Sequence, residues 1–452
     1  MKILHYFLGF PPYRSGGLTA FAVNLMQTQA KQGNAVFALW PGTMPLYGNR
    51  VSILHKGICD GITSYELISP LPVPLDEGIA QPEYFMKKCD AGIYRMFLEN
   101  LAPDVIHIHT LMGIHLEFFQ VAKELKIRMV FTTHDYFGIC PKVTLYKNGA
   151  CDNDHYCKDC INCNLTALSM NKIKILQSPL YRGLKNTALV KKLRKGHRTA
   201  FEDAQENTIP PEEDTAHSTG RMYRQLRSYY ISMLQLVDVI HCNSTVARDV
   251  YTRFLPEGKC RLLSISNQEI NDHRNNPKVT SDKIRLVYLS PAKAFKGYGL
   301  IRQVLDEMWN SGLHNFELHI YTSLPNPMPY MKVSPDGYQR SDLPEIFSQA
   351  DVLLAPSIWY ETFGFTVLEA LSFGVPVIVS DHVGAKDVIG DGGIIIPANS
   401  ASALKDAILS LSAERCAEFR KNIQKNVKIK TWLEYVQENQ TLYKANENEV
   451  LK

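Results

Sequence analysis

No uninterrupted apolar run in this chain of 452 residues approaches the roughly 18 residues that a membrane-spanning helix requires. The sequence therefore predicts no transmembrane segment. The formal net charge is also small, +4 from 49 Lys and Arg against 45 Asp and Glu, so the overall charge does not indicate a nucleic-acid partner. With 45% hydrophobic and 21% charged residues, the composition is that of an ordinary globular protein, and the length predicts two or three domains.

A cleavable leader peptide is not predicted either. Residues 1–9 have the apolar character of a short signal peptide, but Pro11, Pro12, Tyr13 and Arg14 follow where a cleavage site would need small residues. We therefore interpret the N-terminus as the first strand of a cytoplasmic protein.

Predicted strands and helices alternate through both halves of the chain. In the first half, the apolar pattern predicts strands at residues 3–8, 35–39, 105–109, 128–133 and 238–244, and helices at 18–32, 116–125 and 245–254. In the second half it predicts strands at residues 284–289, 317–321, 351–355, 375–380 and 393–396. Such alternation is typical of parallel sheets that helices cover on both faces. The predicted fold class is α/β, with two Rossmann-like, doubly wound domains facing a cleft.

A polar segment at residues 271–281 predicts the linker between these domains. The N-terminal domain is then expected at residues 1–270, with an insertion at 140–235, and the C-terminal domain at 282–430. Within the insertion, the acidic and proline-containing residues 202–220 predict a flexible loop.

The most informative segment is residues 356–379, where Glu361 and Glu369 stand eight positions apart around a Phe-Gly-Phe turn. Gly364 is predicted to open a helix that Gly374 closes. Eight helical residues span roughly 12 Å, more than the ~5 to 9.5 Å between the acid and base of a glycosidase. The two carboxylates therefore suit separate recognition tasks, each accepting hydrogen bonds from neighbouring hydroxyls, while the amides at the helix start face an anion.

This segment resembles the retaining glycosyltransferases of the GT-B fold, family 4, in which the two acids form a Glu-x7-Glu motif. By that resemblance Glu361 contacts the transferred sugar and Glu369 the ribose of the nucleotide, with Phe363, Gly364, Phe365 and Thr366 also at the donor. The resemblance implies an acceptor hydroxyl that attacks from the face the nucleotide leaves, with retention of configuration. It also implies that a C-terminal helix, expected within residues 431–452, crosses back to the N-terminal domain.

Two loops are expected to hold the donor's diphosphate. Gly16 and Gly17 precede the first helix, where glycines allow a close backbone approach, and the family has a Gly-rich loop there. In the second domain, Lys296-Gly297 matches the family pattern, but no arginine stands at the expected earlier position. Lys293 or an arginine from the other domain could supply the second positive charge. Because lysine and helix-end amides can neutralise the diphosphate, we expect no cofactor for catalysis.

Two histidines end predicted strands at the edge where this fold binds ligands. His134, within Thr-Thr-His-Asp-Tyr, resembles the family's active-site histidine that contacts the donor sugar. His109 ends the preceding strand and is a candidate on the acceptor side, although a strand-end histidine is as often a structural hydrogen-bond partner.

Half of the ten cysteines fall within 24 residues, which is an unusual cluster. In a reducing compartment, such a group suits a metal better than disulfides, and four thiolates would bind zinc tetrahedrally. The alternatives are plain reduced cysteines or other chemistry such as an iron–sulfur cluster. The candidate ligands of a structural zinc are Cys140, Cys151, Cys157, Cys160 and Cys163.

No acidic residue occurs from Ile161 to Ala200, where basic residues alternate with apolar ones. Such a stretch predicts either a solvated helical face or peripheral contact with anionic lipid at the inner face of the cytoplasmic membrane. The expected acceptor is a glycan or lipid-linked molecule, in bacterial capsule, O-antigen or exopolysaccharide synthesis. The basic residues are Lys172, Lys174, Arg182, Lys185, Lys191, Lys192, Arg194, Lys195 and Arg198.

The sugar and the base of the donor cannot be read from these residues, although a UDP-sugar is favoured and a GDP-sugar is the alternative. Three other functions compete with sugar transfer. Nucleotide-sugar epimerases and phosphorylases share the two-domain shape but do not usually carry this motif. A catalytically silent GT-B protein, acting as the partner or chaperone of an active transferase, would fit the missing arginine.

Overall fold

A computed structural model describes residues 1–45, 50–75, 78–147, 149–151, 158–188, 190, 192, 213–279 and 281–444. These residues form two α/β domains, each built around its own sheet. The predicted fold class is confirmed.

The N-terminal domain contains an eight-stranded sheet with the order β3-β4-β2-β1-β5-β6-β7-β8. Every neighbouring pair is parallel except β3 and β4. Strand β1 lies in the middle, so the apolar N-terminal residues are a buried strand, as predicted. The strands are β1 (Lys2–Tyr6), β2 (Ala35–Pro41), β3 (Ser52–Cys59), β4 (Ile62–Ile68), β5 (Val105–Ile108), β6 (Arg128–Thr132), β7 (Val239–Cys242) and β8 (Cys260–Leu262).

The antiparallel hairpin of β3 and β4 was not predicted from the sequence. All eight residues of β3 are at least partly exposed, so the strand lacks the buried apolar run by which the other strands are recognised. Its partner β4 is buried at Ile62, Ser64, Glu66 and Leu67, which attaches the hairpin to the parallel core.

Helices cover this sheet, and one of them corrects an expectation. Residues 213–236 form a 24-residue helix, so the predicted flexible loop at 202–220 is wrong from residue 213 onward. The apolar residues Tyr223, Leu226, Tyr230 and Met233 bury one side of this helix in the main core. The helices are α1 (Gly17–Lys31), α2 (Ala91–Leu101), α3 (Leu116–Glu124), α4 (Lys158–Cys163), α5 (Met170–Leu176), α6 (Pro179–Leu184), α7 (Glu213–Leu236) and α8 (Thr245–Tyr251).

The C-terminal domain contains a six-stranded, wholly parallel sheet with the order β11-β10-β9-β12-β13-β14. Its strands are β9 (Ile284–Tyr288), β10 (Phe316–Ile320), β11 (Met331–Val333), β12 (Val352–Ala355), β13 (Val377–Ser380) and β14 (Gly393–Ile396). Its helices are α9 (Tyr298–Asn310), α10 (Leu343–Gln349), α11 (Phe365–Ser372), α12 (Ala401–Leu409) and α13 (Ala413–Asn426). For the five predicted strands of this sheet, predicted and observed limits differ by two residues at most, whereas the three-residue strand β11 was not predicted.

The last helix, α14 (Trp432–Thr441), contacts both domains. Trp432 Nε1 donates to Thr28 Oγ1 of α1 at 2.8 Å, and Trp432 packs with Phe21 in a core otherwise built largely from the C-terminal domain. Arg128 Nε of β6 donates to the Leu442 carbonyl at 3.0 Å. The C-terminal segment thus returns to the N-terminal domain.

Candidate active site

A cleft of about 250 Å³ opens in the C-terminal domain where the loops after β9 and β12 meet the start of α11. This is the edge at which parallel sheets present ligands, because the carboxyl ends of the strands lie together there. The cleft is lined by Leu289, Ser290, Pro291, Lys296, Tyr338, Arg340, Glu361, Phe365, Thr366 and Glu369.

Glu361 is held from two sides at one end of this cleft. Lys296 Nζ donates to Glu361 Oε1 at 2.5 Å, and Ser357 Oγ donates to Glu361 Oε2 at 2.7 Å. Both side chains of the ion pair are 16% exposed. The structure therefore brings together the predicted cation and the predicted sugar-binding acid, with their charges still accessible to a ligand.

Two glycines make this geometry possible. Gly297, after Lys296, has φ of 79°, and a Cβ there would lie 2.0 Å from the Pro356 carbonyl oxygen. Gly364 has φ of 102° and precedes α11, where a Cβ would lie 3.0 Å from Val383 Cγ1. Both positions combine a left-handed backbone with close packing, which side chains rarely tolerate. The cation loop and the acid loop can approach each other because neither position carries a side chain.

Glu369 lies on α11, almost enclosed, with a side chain only 9% exposed. Burial raises its pKa to about 7, an increase that the nearby Arg340 opposes and Glu269 reinforces. Arg340 Nη1 lies 3.7 Å from Glu369 Oε1 and also pairs with Glu269. The carboxylate is therefore weakly solvated in the unliganded protein, and hydrogen bonds from a ligand would stabilise its charge.

The start of α11 has the expected form, but its side chains divide between two environments. No side chain caps its first turn, which leaves backbone N–H groups there for a ligand. Phe365 and Thr366 line the cleft, whereas Phe363 is 2% exposed and packs in the core against Phe365. Only the backbone of Phe363 is thus available to a ligand.

Besides Phe363 and Gly364, three more of the predicted donor-binding residues are not among those that line this cleft. Lys293 lies on the same loop as Lys296, with Nζ 6.0 Å from the centre of the Phe295 ring. Gly16 and Gly17 are exposed at the start of α1, and Gly16 has φ of 118°. Their roles at the donor stay predictions.

His134 lies where the two domains meet. Its carbonyl accepts a hydrogen bond from Thr362 Oγ1 at 3.1 Å, which joins it to the loop that carries Glu361. Its ring Nε2 lies 3.1 Å from His109 Nδ1. His109 is 1% exposed and bonds His5 with its other nitrogen, so the predicted acceptor-side residue is enclosed behind His134 instead of facing the cleft.

His5, His107 and His109 are the one group among the described residues whose nitrogens are close enough to suggest a metal, within 4.8 Å of one another. Each of their ring nitrogens already has a hydrogen-bonding partner. A metal ion would have to break several of these bonds, so the geometry favours a hydrogen-bonded network.

The described cysteines of the predicted zinc site lie near one another, but their sulfur atoms are not among the groups close enough to hold a metal ion together. Cys140, Cys151, Cys160 and Cys163 are partly buried. Burial, followed by the neighbouring Cys140, raises the pKa of Cys163 to about 11. Cys157 lies outside the described residues. The structural zinc stays a prediction.

Arg340 is the cleft residue that sequence reasoning missed, because it stands outside the loop where the family's arginine is expected. Its neighbour Tyr338 also lines the cleft. The available signal was only that this segment precedes α10 at the ligand-binding edge.

Residues 333–430 match the family model described as glycosyl transferases group 1. Among curated proteins, sucrose-phosphate synthase from Spinacia oleracea is 31% identical over 109 residues, which are 22% of this chain and 10% of that protein. O-antigen chain mannosyltransferase B from Escherichia coli is 38% identical over 80 residues, 18% of this chain and 20% of that protein. The matched segments therefore span a fifth or less of these relatives.

Solved structures match the whole fold at low identity. Sucrose-phosphate synthase from Thermosynechococcus elongatus has a TM-score of 0.53 at 14% identity, covering 99% of this chain and 98% of that one. HepE from Anabaena, solved in complex with UDP, has a TM-score of 0.53 at 11% identity, covering 98% and 99%. The chain has the GT-B fold of these glycosyltransferases. The match to the glycosyl transferases group 1 lies within its C-terminal domain.

Proposed function

We propose that this protein is a retaining glycosyltransferase that moves a sugar from a nucleotide-diphosphate sugar to an acceptor without a metal ion. The observation that carries the proposal is the Lys296–Glu361 ion pair facing Glu369 across one cleft. Glu369 binds the ribose, Glu361 the transferred sugar, and Lys296 with the amides of α11 the diphosphate. Arg340, on the cleft wall, supplies the second positive charge that the sequence left unassigned.

In this proposal, the bond between the anomeric carbon and the diphosphate oxygen breaks as the acceptor oxygen bonds that carbon from the same face. The acceptor proton passes to a phosphate oxygen of the departing nucleotide. Negative charge grows on the diphosphate during this step, where Lys296 and the helix amides stabilise it without reorganising. Lys296 exchanges part of its contact with Glu361 for the diphosphate, which frees Glu361 to accept from sugar hydroxyls.

A UDP-sugar is the favoured donor, with a GDP-sugar as the alternative. Support comes from neighbours of the same fold, since HepE was solved with UDP and with UDP and glucose, although starch synthase IV from Arabidopsis thaliana was solved with ADP and acarbose. Thermal-shift titration with UDP, GDP and ADP distinguishes these bases, because a bound nucleotide stabilises the folded state by mass action.

The decisive experiment replaces the ion pair. Glu361→Gln and Lys296→Met should each lower transfer or slow donor hydrolysis roughly 100-fold or more, the usual cost of removing a preorganised electrostatic partner. Glu307→Gln and Lys405→Met are matched controls, because that pair lies 3.2 Å apart in the same domain but outside the cleft lining.

Wild-type rates in both cleft variants would disprove the assignment. Purified wild-type protein that hydrolyses none of the donors would favour the alternative function, a catalytically silent partner of another transferase. Assays repeated in EDTA test whether transfer requires a metal ion. This control is needed because Asp152 and Asp154 have the spacing Asp-x-Asp, which can bind a divalent metal, and lie outside the described residues.

The acceptor is proposed to be a glycan or lipid-linked molecule in bacterial polysaccharide synthesis, reached at the cytoplasmic face of the membrane. The similarity to an O-antigen chain mannosyltransferase supports this class of acceptor. Every helix in the described part of the chain is too short or too polar to cross a bilayer. We propose that contact with a membrane is peripheral.

Helices α5 and α6 carry the surface proposed for this contact. Ile175, Leu180 and Leu184 are 57%, 66% and 47% exposed, beside the basic Lys172 and Lys174. Exposed apolar side chains next to lysines suit insertion at anionic headgroups.

Two of the predicted basic residues have other tasks in the structure. Arg182 Nη1 donates to the buried Glu66 Oε1 at 2.5 Å, and Lys185 Nζ donates to the carbonyls of Pro12 and Tyr13, each at 2.7 Å. They fasten α6 to the N-terminal domain. Of the remaining residues, Lys191, Arg194, Lys195 and Arg198 lie outside the described part of the chain.

Flotation with vesicles containing anionic lipid tests this surface. Leu180→Glu combined with Leu184→Glu should reduce the bound fraction roughly tenfold, since it removes apolar area and adds repulsive charge. Ile58→Glu is the matched control, because Ile58 is 72% exposed on β3. Equal flotation of all three proteins would contradict membrane docking through α5 and α6.

Structural zinc bound by the cysteine cluster remains a separate proposal. Elemental analysis of the full chain, with Cys163→Ser as the variant, tests it directly. Absence of stoichiometric zinc from the wild type would refute it.

A further inference from the structure

A continuous chain of hydrogen bonds, buried except at its two partly buried ends, runs beneath the N-terminal sheet and ends at His134. It passes through five histidines, Thr132, Gln29 and Tyr443, which follows α14. In the first half of the chain, His241 Nε2 lies 2.7 Å from the Leu263 carbonyl oxygen and His241 Nδ1 lies 2.9 Å from Thr132 Oγ1. Thr132 Oγ1 lies 2.7 Å from His107 Nε2, and His107 Nδ1 lies 2.7 Å from the Tyr443 hydroxyl.

In the second half, Gln29 Nε2 lies 2.9 Å from the Tyr443 hydroxyl and Gln29 Oε1 lies 2.8 Å from His5 Nε2. His5 Nδ1 lies 3.0 Å from His109 Nε2, and His109 Nδ1 lies 3.1 Å from His134 Nε2.

The imidazoles of this chain are neutral near pH 7. Burial lowers the pKa of His5 and of His241 to about 4 and that of His134 to about 3. Burial, followed by the neighbouring histidines, also lowers the pKa of His107 and His109. A neutral imidazole has one N–H donor and one acceptor nitrogen. A ring that accepts a hydrogen bond at one nitrogen must therefore donate at the other, so the donor-to-acceptor direction is the same on both sides of each ring.

The Leu263 carbonyl sets that direction, because it can only accept. His241 must donate to it from Nε2, which makes Nδ1 of His241 an acceptor for the Thr132 hydroxyl. Thr132 Oγ1 then accepts from His107 Nε2, which leaves Nδ1 of His107 as the acceptor.

Tyr443 carries the direction to the other half of the chain. Its hydroxyl has one hydrogen and donates it to His107 Nδ1, so its oxygen accepts from Gln29 Nε2. The amide of Gln29 is thereby oriented with Oε1 toward His5, the arrangement that the structure contains. Without the tyrosine hydroxyl, no acceptor at position 443 would select Nε2 over Oε1, and the amide could adopt either of its two flipped orientations.

From Gln29 onward the same logic applies to three rings. His5 donates from Nε2, His109 donates from Nε2 to His5 Nδ1, and His134 donates from Nε2 to His109 Nδ1. We infer that Tyr443 is a positioning residue whose hydroxyl, through this one-directional chain, fixes His134 as the tautomer with hydrogen on Nε2 and a lone pair on Nδ1.

This tautomer defines the kind of ligand group that His134 can bind. A lone pair on Nδ1 accepts from a hydroxyl and repels a phosphate or carboxylate oxygen. At a site for sugars, His134 therefore accepts a hydrogen bond from a hydroxyl of the ligand. This consequence rests on the proposed function. The hydrogen-bonded chain also makes the ring depend on the C-terminal segment, since Tyr443 lies only two residues after α14.

The test uses the full chain with ¹⁵N-labelled histidine, at pH 7.5 and without ligand. Long-range ¹H–¹⁵N spectra separate protonated from unprotonated ring nitrogens, and His134→Gln identifies the His134 signals. In the wild type we expect one tautomer of His134, protonated on Nε2. In Tyr443→Phe we expect His5, His109 and His134 to become mixtures of tautomers, while His241, still bound to the Leu263 carbonyl, keeps its wild-type signals.

Tyr435→Phe is the matched control, because Tyr435 is equally buried on α14 and its hydroxyl accepts from Asn439 within the same helix. This variant should leave every tautomer unchanged. Gln29→Met, which interrupts the chain without touching the C-terminal segment, should reproduce the mixture at His134 and serves if Tyr443→Phe does not fold. A wild-type His134 protonated on Nδ1, or a single tautomer in both chain variants, would overturn the inference.

Donor turnover separates this inference from the proposed function. If the chain acts as described, kcat should fall about tenfold in Tyr443→Phe, the scale of one well-placed hydrogen bond, while thermal-shift binding of the nucleotide stays at the wild-type level. The expected tautomers in a protein without turnover would leave the inference standing and reject the proposed function. Normal turnover with an unchanged tautomer in Tyr443→Phe would reject the inference and leave the proposed function standing.

Discussion

At the scale of single residues, Glu369 shows a conflict between stability and binding. Its side chain is nearly enclosed, and Arg340 stands 3.7 Å away without fully offsetting the loss of solvation. Burial thus raises the pKa of Glu369 to about 7, against an ordinary value near 4.5. An apolar or neutral residue at this position would give a more stable folded state. The acid therefore lowers the stability of the unliganded protein, and hydrogen bonds to a bound ligand can offset that loss.

Glu369→Gln should therefore stabilise the unliganded protein at high pH. Because the folded state binds this proton more tightly than the unfolded state, ionisation destabilises the fold as pH rises from about 4.5 through 7. The gain should be small near pH 5 and reach at most ~3 kcal/mol at pH 8. Urea unfolding at the two pH values measures it, with Glu307→Gln as the exposed control. A gain independent of pH would contradict the raised pKa.

Glu361, Glu369 and Lys296 could be identified from the sequence because each lies within a short local motif whose spacing survives folding. Arg340 could not, since it stands 29 positions before Glu369 and only the packing of the loop before α10 against α11 makes them neighbours. The enclosure of His109 could not be predicted either, because it depends on His5 within β1 and on His134 after β6.

At the scale of elements, the loop between β9 and α9 decides where the cation stands. Its conformation depends on Gly297, whose position leaves no space beside the Pro356 carbonyl. The following helix begins at Tyr298, so a shift of this glycine would move Lys296 and the start of the helix together.

Gly297→Ala should destabilise the protein by about 2 kcal/mol or more, since it combines a left-handed backbone with a steric clash. Gly299→Ala, two residues later, is the control: nothing lies within 4 Å of its added Cβ, and alanine in a helix should be neutral or stabilise by up to about 1 kcal/mol. Denaturant midpoints compare the two. Equal effects would show that the Pro356 contact does not constrain the loop.

At the scale of the whole molecule, α14 connects the two domains. Trp432 is 5% exposed among residues of both domains, and Tyr443 reaches the core under the first sheet. A short helix on its own is marginally stable, so this one depends on the tertiary contacts that it makes. Its loss should affect the arrangement of the two domains more than either sheet.

Trp432→Ala should cost about 3 to 5 kcal/mol, the range for truncating a buried aromatic side chain. Leu433→Ala, at the neighbouring position that is 59% exposed, should change stability by no more than about 0.5 kcal/mol. Urea unfolding followed by two probes, one in each domain, also reports whether the domains then unfold separately. Coincident, unshifted transitions in Trp432→Ala would refute the role assigned to α14.

The sequence by itself determined the α/β class, the approximate positions of ten of the fourteen described strands and the acids of the cleft, because apolar periodicity and short motifs are local properties. It did not reveal the exposed strand β3 or the start of α7, whose signals are weak in polar segments. Only the tertiary structure decided which distant groups meet. The pairing of Arg340 with Glu369 and the hydrogen-bonded chain from Leu263 to His134 both join residues whose spacing along the chain carries no record of their contact.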